Sequence, residues 1–318
     1  MSKIVGIDLG TTNSLISIVE GGQPIAIPSA EGDYLFPSVV GFSRSGERLV
    51  GSIAKRQAIS NPERTIISVK RHMGTDFRFT CDDKSHTPQE ISAMILQKVK
   101  ADAEAYLGFP IDKAVITVPA YFNDAERQAT KDAGRIAGLE VMRIVNEPTA
   151  AALAYGIGNP AQASTDMAET IAVYDLGGGT FDISILRIEN GIFEVLSTNG
   201  DTFLGGDDFD QAIVHFWLEQ LNIEKKILTE ENKFGQRIRL LAEKAKKALS
   251  TSDLFEHELD GKRISLTRSE FENLIEPFVG RTIECCKNAL RDAGLTPENI
   301  DKVVMVGGST RVPLVKKS

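Results

Sequence analysis

Cysteine is almost missing from this chain of 318 residues, and its three copies, Cys81, Cys285 and Cys286, cannot build a framework. Two of them are adjacent, which leaves neither a disulfide network nor zinc spacing and predicts a reducing compartment. The four histidines, His72, His86, His215 and His257, are scattered, and none is assigned a metal. Basic residues are in short supply: 36 Lys and Arg against 44 Asp and Glu give a net charge of −8. That balance argues against nucleic acid, whose phosphates call for a basic surface. Apolar runs of membrane-spanning length are missing, and the opening MSKIVGIDLG has no charged leader followed by an apolar core. A soluble cytoplasmic protein is expected, with neither nucleic acid nor membrane as partner. Two nucleotide signatures are absent as well. No G-x-x-x-x-G-K-[ST] occurs, which excludes a P-loop enzyme, and no G-x-G-x-x-G follows a strand, which excludes a Rossmann dinucleotide site.

What is present is an ordinary globular composition, 42% hydrophobic and 25% charged, in a chain long enough for about two lobes. Short apolar runs alternate with amphipathic stretches, the pattern of a mixed α/β fold. Strands are predicted at Ile4 to Asp8, Leu15 to Glu20, Ala114 to Val118, Val141 to Val145, Ile171 to Asp175, Ile183 to Ile188, Ile192 to Ser197 and Lys302 to Val306. A helix opens at Thr87, where Thr87 and Glu90 make a capping box around Pro88, and Gly108 closes it. Its predicted apolar stripe is Ile91, Met94, Ile95, Val99 and Tyr106. Further helices are predicted from Asn123 to near Gly138, from Arg239 to Leu249 and from Phe271 to Ala293, with a hairpin turning on Asp260-Gly261. The small, polar, turn-rich segment from Gly158 to Glu169 is the natural boundary between halves.

The most informative feature is an internal repeat. IVGIDLGTTNSLISIV at 4–19 lies over IAVYDLGGGTFDISIL at 171–186, so that Asp8 falls on Asp175 and Gly10 on Gly177, an offset of 167 residues. Each copy reads as a buried strand, an aspartate at its end, a glycine-rich turn and a returning strand. Polyphosphate needs backbone N–H groups that approach closely, which glycine permits. The hydroxyls of Thr11, Thr12 and Thr180 suit phosphate oxygens, and Asp8 and Asp175 supply the hard oxygens that Mg²⁺ prefers, mostly through water. One such turn is as consistent with a tight hairpin as with a site; two in matching context favour the site. A third glycine turn, VGGSTRVP, follows the last predicted strand, where Gly307 and Gly308 would admit a flat base and Arg311 would stack on it. Taken alone, that turn is better read as a strand-to-helix connection.

The motifs GIDLGTTNS at 6–14, NEPTAAALAYG at 146–156, YDLGGGTFD at 174–182, GDTFLGGDDFD at 200–210 and VGGSTRVP at 306–313 resemble the DnaK-type heat-shock chaperones, the seventy-kilodalton class. VKRHMGTD at 69–76 and the stretch 114–141 are similar to that family too, and the resemblance covers essentially the whole chain. It implies an α/β, actin-like ATPase fold: lobe I over 1–165 with an outer insertion at about 39–113, and lobe II over 166–318 with an outer insertion at about 203–284. It also implies binding of ATP and ADP with Mg²⁺, potassium being a further candidate, slow ATP hydrolysis, and J-domain and nucleotide-exchange partners. Residue by residue, Asp8 and Asp175 would hold the Mg²⁺ shell. Gly10, Thr11, Thr12 and Asn13 would cradle phosphate from lobe I, and Gly177, Gly178, Gly179 and Thr180, with Gly205 and Gly206, from lobe II. Lys70 would touch the γ-phosphate and orient water, helped by Glu147, Thr180 and Asp182. Glu243, Lys246, Lys247 and Ser250 would flank adenosine, with Gly307, Gly308, Ser309 and Arg311 opposite.

Without the family, these residues read more plainly. Lys70 is a solvated lysine, Glu147 a helix N-terminal charge, Lys244, Lys246 and Lys247 a solvated helix face, and Asp207, Asp208 and Asp210 a surface cluster. The chain also departs from the family's pattern. Lobe II is abbreviated before Thr267, and the sequence ends at Ser318, soon after VGGSTRVP, so that lobe II is expected to be incomplete and no peptide-binding domain is expected. The competing readings are a truncated pseudo-ATPase or inactive fragment, and another actin-like ATPase such as a sugar kinase or filament protein.

Overall fold

The computed structural model describes residues 3–58, 60–81, 83–156, 168–224 and 233–318. Most of the boundary segment read at 158–169 lies outside them. Contacts divide the chain into two units, Met1–Ala150 and Ala151–Ser318.

The first unit begins with an antiparallel meander, β1 (Ile4–Asp8), β2 (Asn13–Glu20) and β3 (Gln23–Ile27), whose second strand also takes a short partner, β4 (Phe36–Pro37). An insertion follows: β5 (Val40–Phe42), β6 (Arg48–Val50), α1 (Ser52–Gln57), β7 (Thr65–Ile66), a 3₁₀ turn at Val69–His72, the hairpin β8 (Phe79–Cys81) and β9 (Lys84–His86), and α2 (Pro88–Leu107). The chain then returns to the main sheet with β10 (Lys113–Val118), α3 (Asp124–Ile136) and β11 (Glu140–Asn146), and runs into α4 (Glu147–Ala154). The strand order is β11-β10-β1-β2-β3, with β10 and β11 parallel to their neighbours. Strict alternation in β10 turns Ala114, Ile116 and Val118 into the core, where Ile7, Ile16, Ile95 and Val99 meet them. Capping boxes fix the starts of α2 and α3, at Thr87 with Glu90 and at Asn123 with Glu126. The stripe of α2 departs from the predicted one at its end: Ile91, Ile95 and Val99 are buried, whereas Tyr106 is exposed and Ala103 takes the inward position.

The second unit repeats the meander with β12 (Glu169–Leu176), β13 (Phe181–Glu189) and β14 (Ile192–Asp201). Next come α5 (Gly206–Gln220), α6 (Lys233–Leu249), the hairpin β15 (Leu254–Leu259) and β16 (Lys262–Thr267), and α7 (Arg268–Asp292). β17 (Lys302–Val306), a 3₁₀ turn at Gly308–Arg311 and α8 (Pro313–Lys317) complete it. The order is β14-β13-β12-β17, and β17 runs parallel to β12 as β10 does to β1. Asp260 and Gly261 both adopt positive φ, 51° and 77°, the two-residue turn predicted for that hairpin. The core gathers Trp217, Phe209, Phe181, Phe271 and Ile275 between sheet and helices. α6 is longer than the predicted Arg239 to Leu249. α5 carries no signal in the sequence reading, because its first turn is glycine and aspartate, residues that favour turns.

Candidate functional site

The repeat seen in the sequence is a repeat in the structure. Asp8 ends the central strand β1, opposite Leu15 on β2 and beside Thr117 on β10. Asp175 is the penultimate residue of β12, opposite Asp182 on β13 and beside Val306 on β17. In both units the aspartate leads straight into the glycine-bearing turn.

In the first unit the Asp8 carboxylate is exposed and accepts a hydrogen bond from Thr117 Oγ1 at 3.1 Å. The following turn is tight: a Cβ on Gly10 would lie 2.1 Å from the carbonyl oxygen of Asn13. Thr11 is buried, and the Thr12 hydroxyl is buried without a hydrogen-bond partner among the described residues. A buried hydroxyl left unpaired is costly, which sets Thr12 apart from the other residues of the turn.

Lys70 overturns the plain reading of a solvated lysine. It lies in the 3₁₀ turn Val69–His72, its side chain is only 8% exposed, and its ammonium donates to Glu147 Oε1 at 2.6 Å. The Phe122 ring faces the same ammonium, with its centroid 5.9 Å away. Glu147 opens α4 as expected, but its carboxylate serves Lys70. Burial pushes the Glu147 carboxyl above its ordinary range; Lys70 opposes that shift and the nearby Asp8 charge adds to it. Asp8, Lys70 and Glu147, far apart in sequence, therefore share one electrostatic neighbourhood.

In the second unit two other segments, the start of α5 and the turn after β17, converge on the turn after β12. Thr180 closes the turn by accepting from the Gly177 N–H at 3.0 Å. The N–H groups of Gly206 and Asp207 reach the carbonyls of Gly177 and Gly178 at 3.0 and 2.6 Å, which seats the start of α5 on the turn. The approach requires glycine, since a Cβ on Gly205 would come within 2.6 Å of the backbone of Gly178 and Gly179. Ser309 Oγ donates to the Gly177 carbonyl at 2.9 Å from the 3₁₀ turn after β17. Gly307, at φ 89°, faces Leu176 and the Asp175 carboxylate so closely that a Cβ would stand 2.3 Å from the Leu176 oxygen. Packing against β12 thus explains Gly307, while Gly308 faces open space.

The acidic cluster is not the surface feature expected from sequence. Asp208 caps its own helix by accepting from the Gly205 N–H at 2.7 Å. Asp210 pairs with Lys246 at 2.8 Å, and Lys246 also donates to the Gly206 carbonyl at 2.7 Å. Burial raises the Asp210 carboxyl to about 6 against the pull of Lys246, with Asp207 and Glu243 adding to the rise. Lys246 is accordingly no part of a solvated face, although Lys247 is: it is exposed and pairs with Glu243 one turn away. Ser250 donates back to the Lys246 carbonyl, and Arg311 is exposed. Asp182 is buried and accepts from Thr198 at 3.3 Å. The clasp made by Gly205 to Asp210 with Lys246 is the element that spacing alone did not reveal. Its signal was the doubled glycine before an acidic run.

Two units built on the same meander, each with an aspartate and a glycine turn at the end of its central strand, define an actin-like ATPase fold. The family model described as Hsp70 protein matches residues 4–318, and the chain belongs to that family, whose members are ATP-binding chaperone ATPases.

Proposed function

We propose that this chain is the nucleotide-switch domain of a DnaK-type chaperone, binding Mg·ATP and hydrolysing it slowly to ADP and phosphate. The observation that carries this reading is the buried Lys70–Glu147 pair, next to the Asp8 end of a phosphate-type turn whose Thr12 hydroxyl has no partner among the described residues. A solvated lysine and a helix-end glutamate have no reason to be buried together there.

The donor set fits a magnesium nucleotide. Asp8 offers an exposed carboxylate of the hard-oxygen type. When bound, the metal would neutralise charge on the phosphate oxygens. In this reading Thr11, Thr12 and Asn13 hold phosphate in the first unit, and Gly177, Gly178, Gly179 and Thr180 do so in the second. Lys70 stabilises negative charge on the transferred group and orients the attacking water. Glu147 accepts from the ammonium and keeps it aimed. Positioning and charge neutralisation account for most of what phosphoryl transfer requires. The exposed Arg311 and the Glu243–Lys247 pair are assigned to adenosine by the family resemblance. A J-domain partner, a nucleotide-exchange factor and a cytoplasmic setting belong to the same proposal.

Calorimetric titration with Mg·ATP and Mg·ADP, followed by single-turnover hydrolysis, tests it. One-to-one binding with slow phosphate release supports the reading. A folded, monodisperse sample that binds neither nucleotide rejects it.

A further inference from the structure

Ser38 stands just beyond β4, outside every motif that points to nucleotide, yet it bonds twice to the first glycine turn, once through its side chain and once through its backbone. It is 1% exposed. Its hydroxyl donates to the Gly10 carbonyl at 2.8 Å, and its backbone N–H donates to the Thr12 carbonyl at 2.9 Å. Because its single hydroxyl proton is committed to Gly10, the 2.9 Å contact between the Ser38 and Ser14 hydroxyls has Ser14 as donor. Ser14 is equally buried and lies on β2, whose register places Asn13 against Pro37 and Ser14 against Phe36. The chain of donors therefore runs from Ser14 to Ser38 to Gly10.

The consequence is directional. A turn that binds an anion must present N–H groups and keep its carbonyl oxygens, which repel phosphate, turned away. Ser38 engages two carbonyls of the Gly10–Asn13 turn at once from the buried side. We infer that Ser38 is a positioning residue for phosphate: it fixes the carbonyls of Gly10 and Thr12 inward and so orients the turn toward a polyphosphate. It does not touch the nucleotide itself. The inference rests on the nucleotide reading above and adds to it a residue that acts through the backbone.

The test compares wild type with Ser38→Ala by calorimetry against Mg·ATP, Mg·ADP and adenosine, with thermal melting alongside. Loss of one buried hydrogen bond to the turn predicts about tenfold weaker binding of Mg·ATP and Mg·ADP, with adenosine affinity unchanged. A merely structural serine would lower the melting temperature and leave the ratio of ATP to adenosine affinity where it was. Wild type binding normally while Ser38→Ala shows an unchanged ratio overturns the inference and leaves the nucleotide reading standing. Wild type binding no nucleotide overturns both. If Ser38→Ala does not fold, Ser14→Ala takes its place. It removes the hydrogen bond that fixes the Ser38 hydroxyl and so loosens the bond to Gly10, and a smaller loss confined to the phosphorylated ligands is the expected result. An unchanged ratio there overturns the inference.

Discussion

The ammonium of Lys70 and the carboxylate of Glu147, 77 residues apart in the chain, meet at 2.6 Å where both side chains are largely withdrawn from water. Such a pair is a poor device for stability, because the lost hydration of two charges offsets most of their attraction. Its persistence beside Asp8 is better explained by chemistry. Lys70→Ala is therefore expected to lower single-turnover hydrolysis at least about 100-fold, the scale of losing one charged transition-state donor. Nucleotide affinity should change little, and Glu147 should titrate still higher once its cation is gone. Hydrolysis at the wild-type rate in Lys70→Ala would remove Lys70 from the mechanism.

Thr12 offers a prediction in which fold and function move in opposite directions. Its hydroxyl is buried and has no partner among the described residues, so Thr12→Val removes an unsatisfied polar group at nearly constant volume. Without ligand, the variant should be as stable as wild type or more so, by up to about 1 kcal/mol. It should nevertheless bind Mg·ATP more weakly, since Val cannot donate to phosphate. Melting curves with and without Mg·ATP give both answers. A variant that loses stability but keeps its ligand-induced shift would show that the hydroxyl serves the fold alone.

Asp210 predicts a pH dependence whose sign is fixed by burial. Its carboxyl is raised to about 6 in the folded chain, above the ordinary aspartate value of 3.8. Between those two values the unfolded chain gives up a proton that the folded one keeps. This group's contribution to stability is therefore full below about pH 4, falls as pH rises, and levels off above about 6. Each unit of separation corresponds to about 1.4 kcal/mol. Asp210→Asn, which cannot ionise but can still accept from Lys246, should gain stability relative to wild type across that window and hold a constant advantage above it. Denaturant unfolding of both proteins from pH 4 to pH 8 measures the difference. A difference that does not vary with pH would mean that Asp210 is ionised in the folded chain at its ordinary value.

Local patterns carried much of the architecture. The strands Ile4 to Asp8 and Lys302 to Val306 fall where apolar runs end in turn signals. The capping boxes at Thr87 and Asn123 are written in four consecutive residues each. The repeat made Asp8 and Asp175 legible as a pair, and both do lie at the end of the first strand of a like meander. Pairings across long separations were not legible. Nothing near Lys70 announces Glu147, nothing near Asp210 announces Lys246, and Ser38 appears in no motif at all. Charge runs look solvated until the fold supplies a partner, which is why the 207–210 cluster and Lys246 look like surface in the sequence. Helix α5 escaped for a different reason. Its opening glycines weaken helix propensity locally, and only their docking on Gly177 and Gly178 makes that start favourable.

The two adjacent glycines of VGGSTRVP should respond very differently to the same substitution. Gly307 lies at φ 89°, and a Cβ there would meet the Leu176 oxygen at 2.3 Å, the Leu176 carbon at 2.5 Å and an Asp175 carboxylate oxygen at 2.7 Å. Two of those atoms are backbone of Leu176, the last residue of β12, and cannot swing aside as a side chain could. Gly307→Ala must therefore either strain its own backbone or push β17 and the following turn away from β12. The cost is about 3 kcal/mol, from the left-handed backbone and the overpacking together. Because the collision falls on the Asp175 end of β12 and the neighbouring Ser309 bonds to Gly177, Mg·ATP affinity should drop together with stability. Gly308 has open space around its Cβ position and no left-handed backbone, so Gly308→Ala should leave the melting temperature nearly unchanged. Any loss of nucleotide affinity in Gly308→Ala would then report direct contact with ligand, separate from packing. Thermal melting and calorimetry on the two variants side by side decide the matter. Equal melting temperatures would contradict the packing account of Gly307, and equal affinity losses would mean that both glycines face the nucleotide.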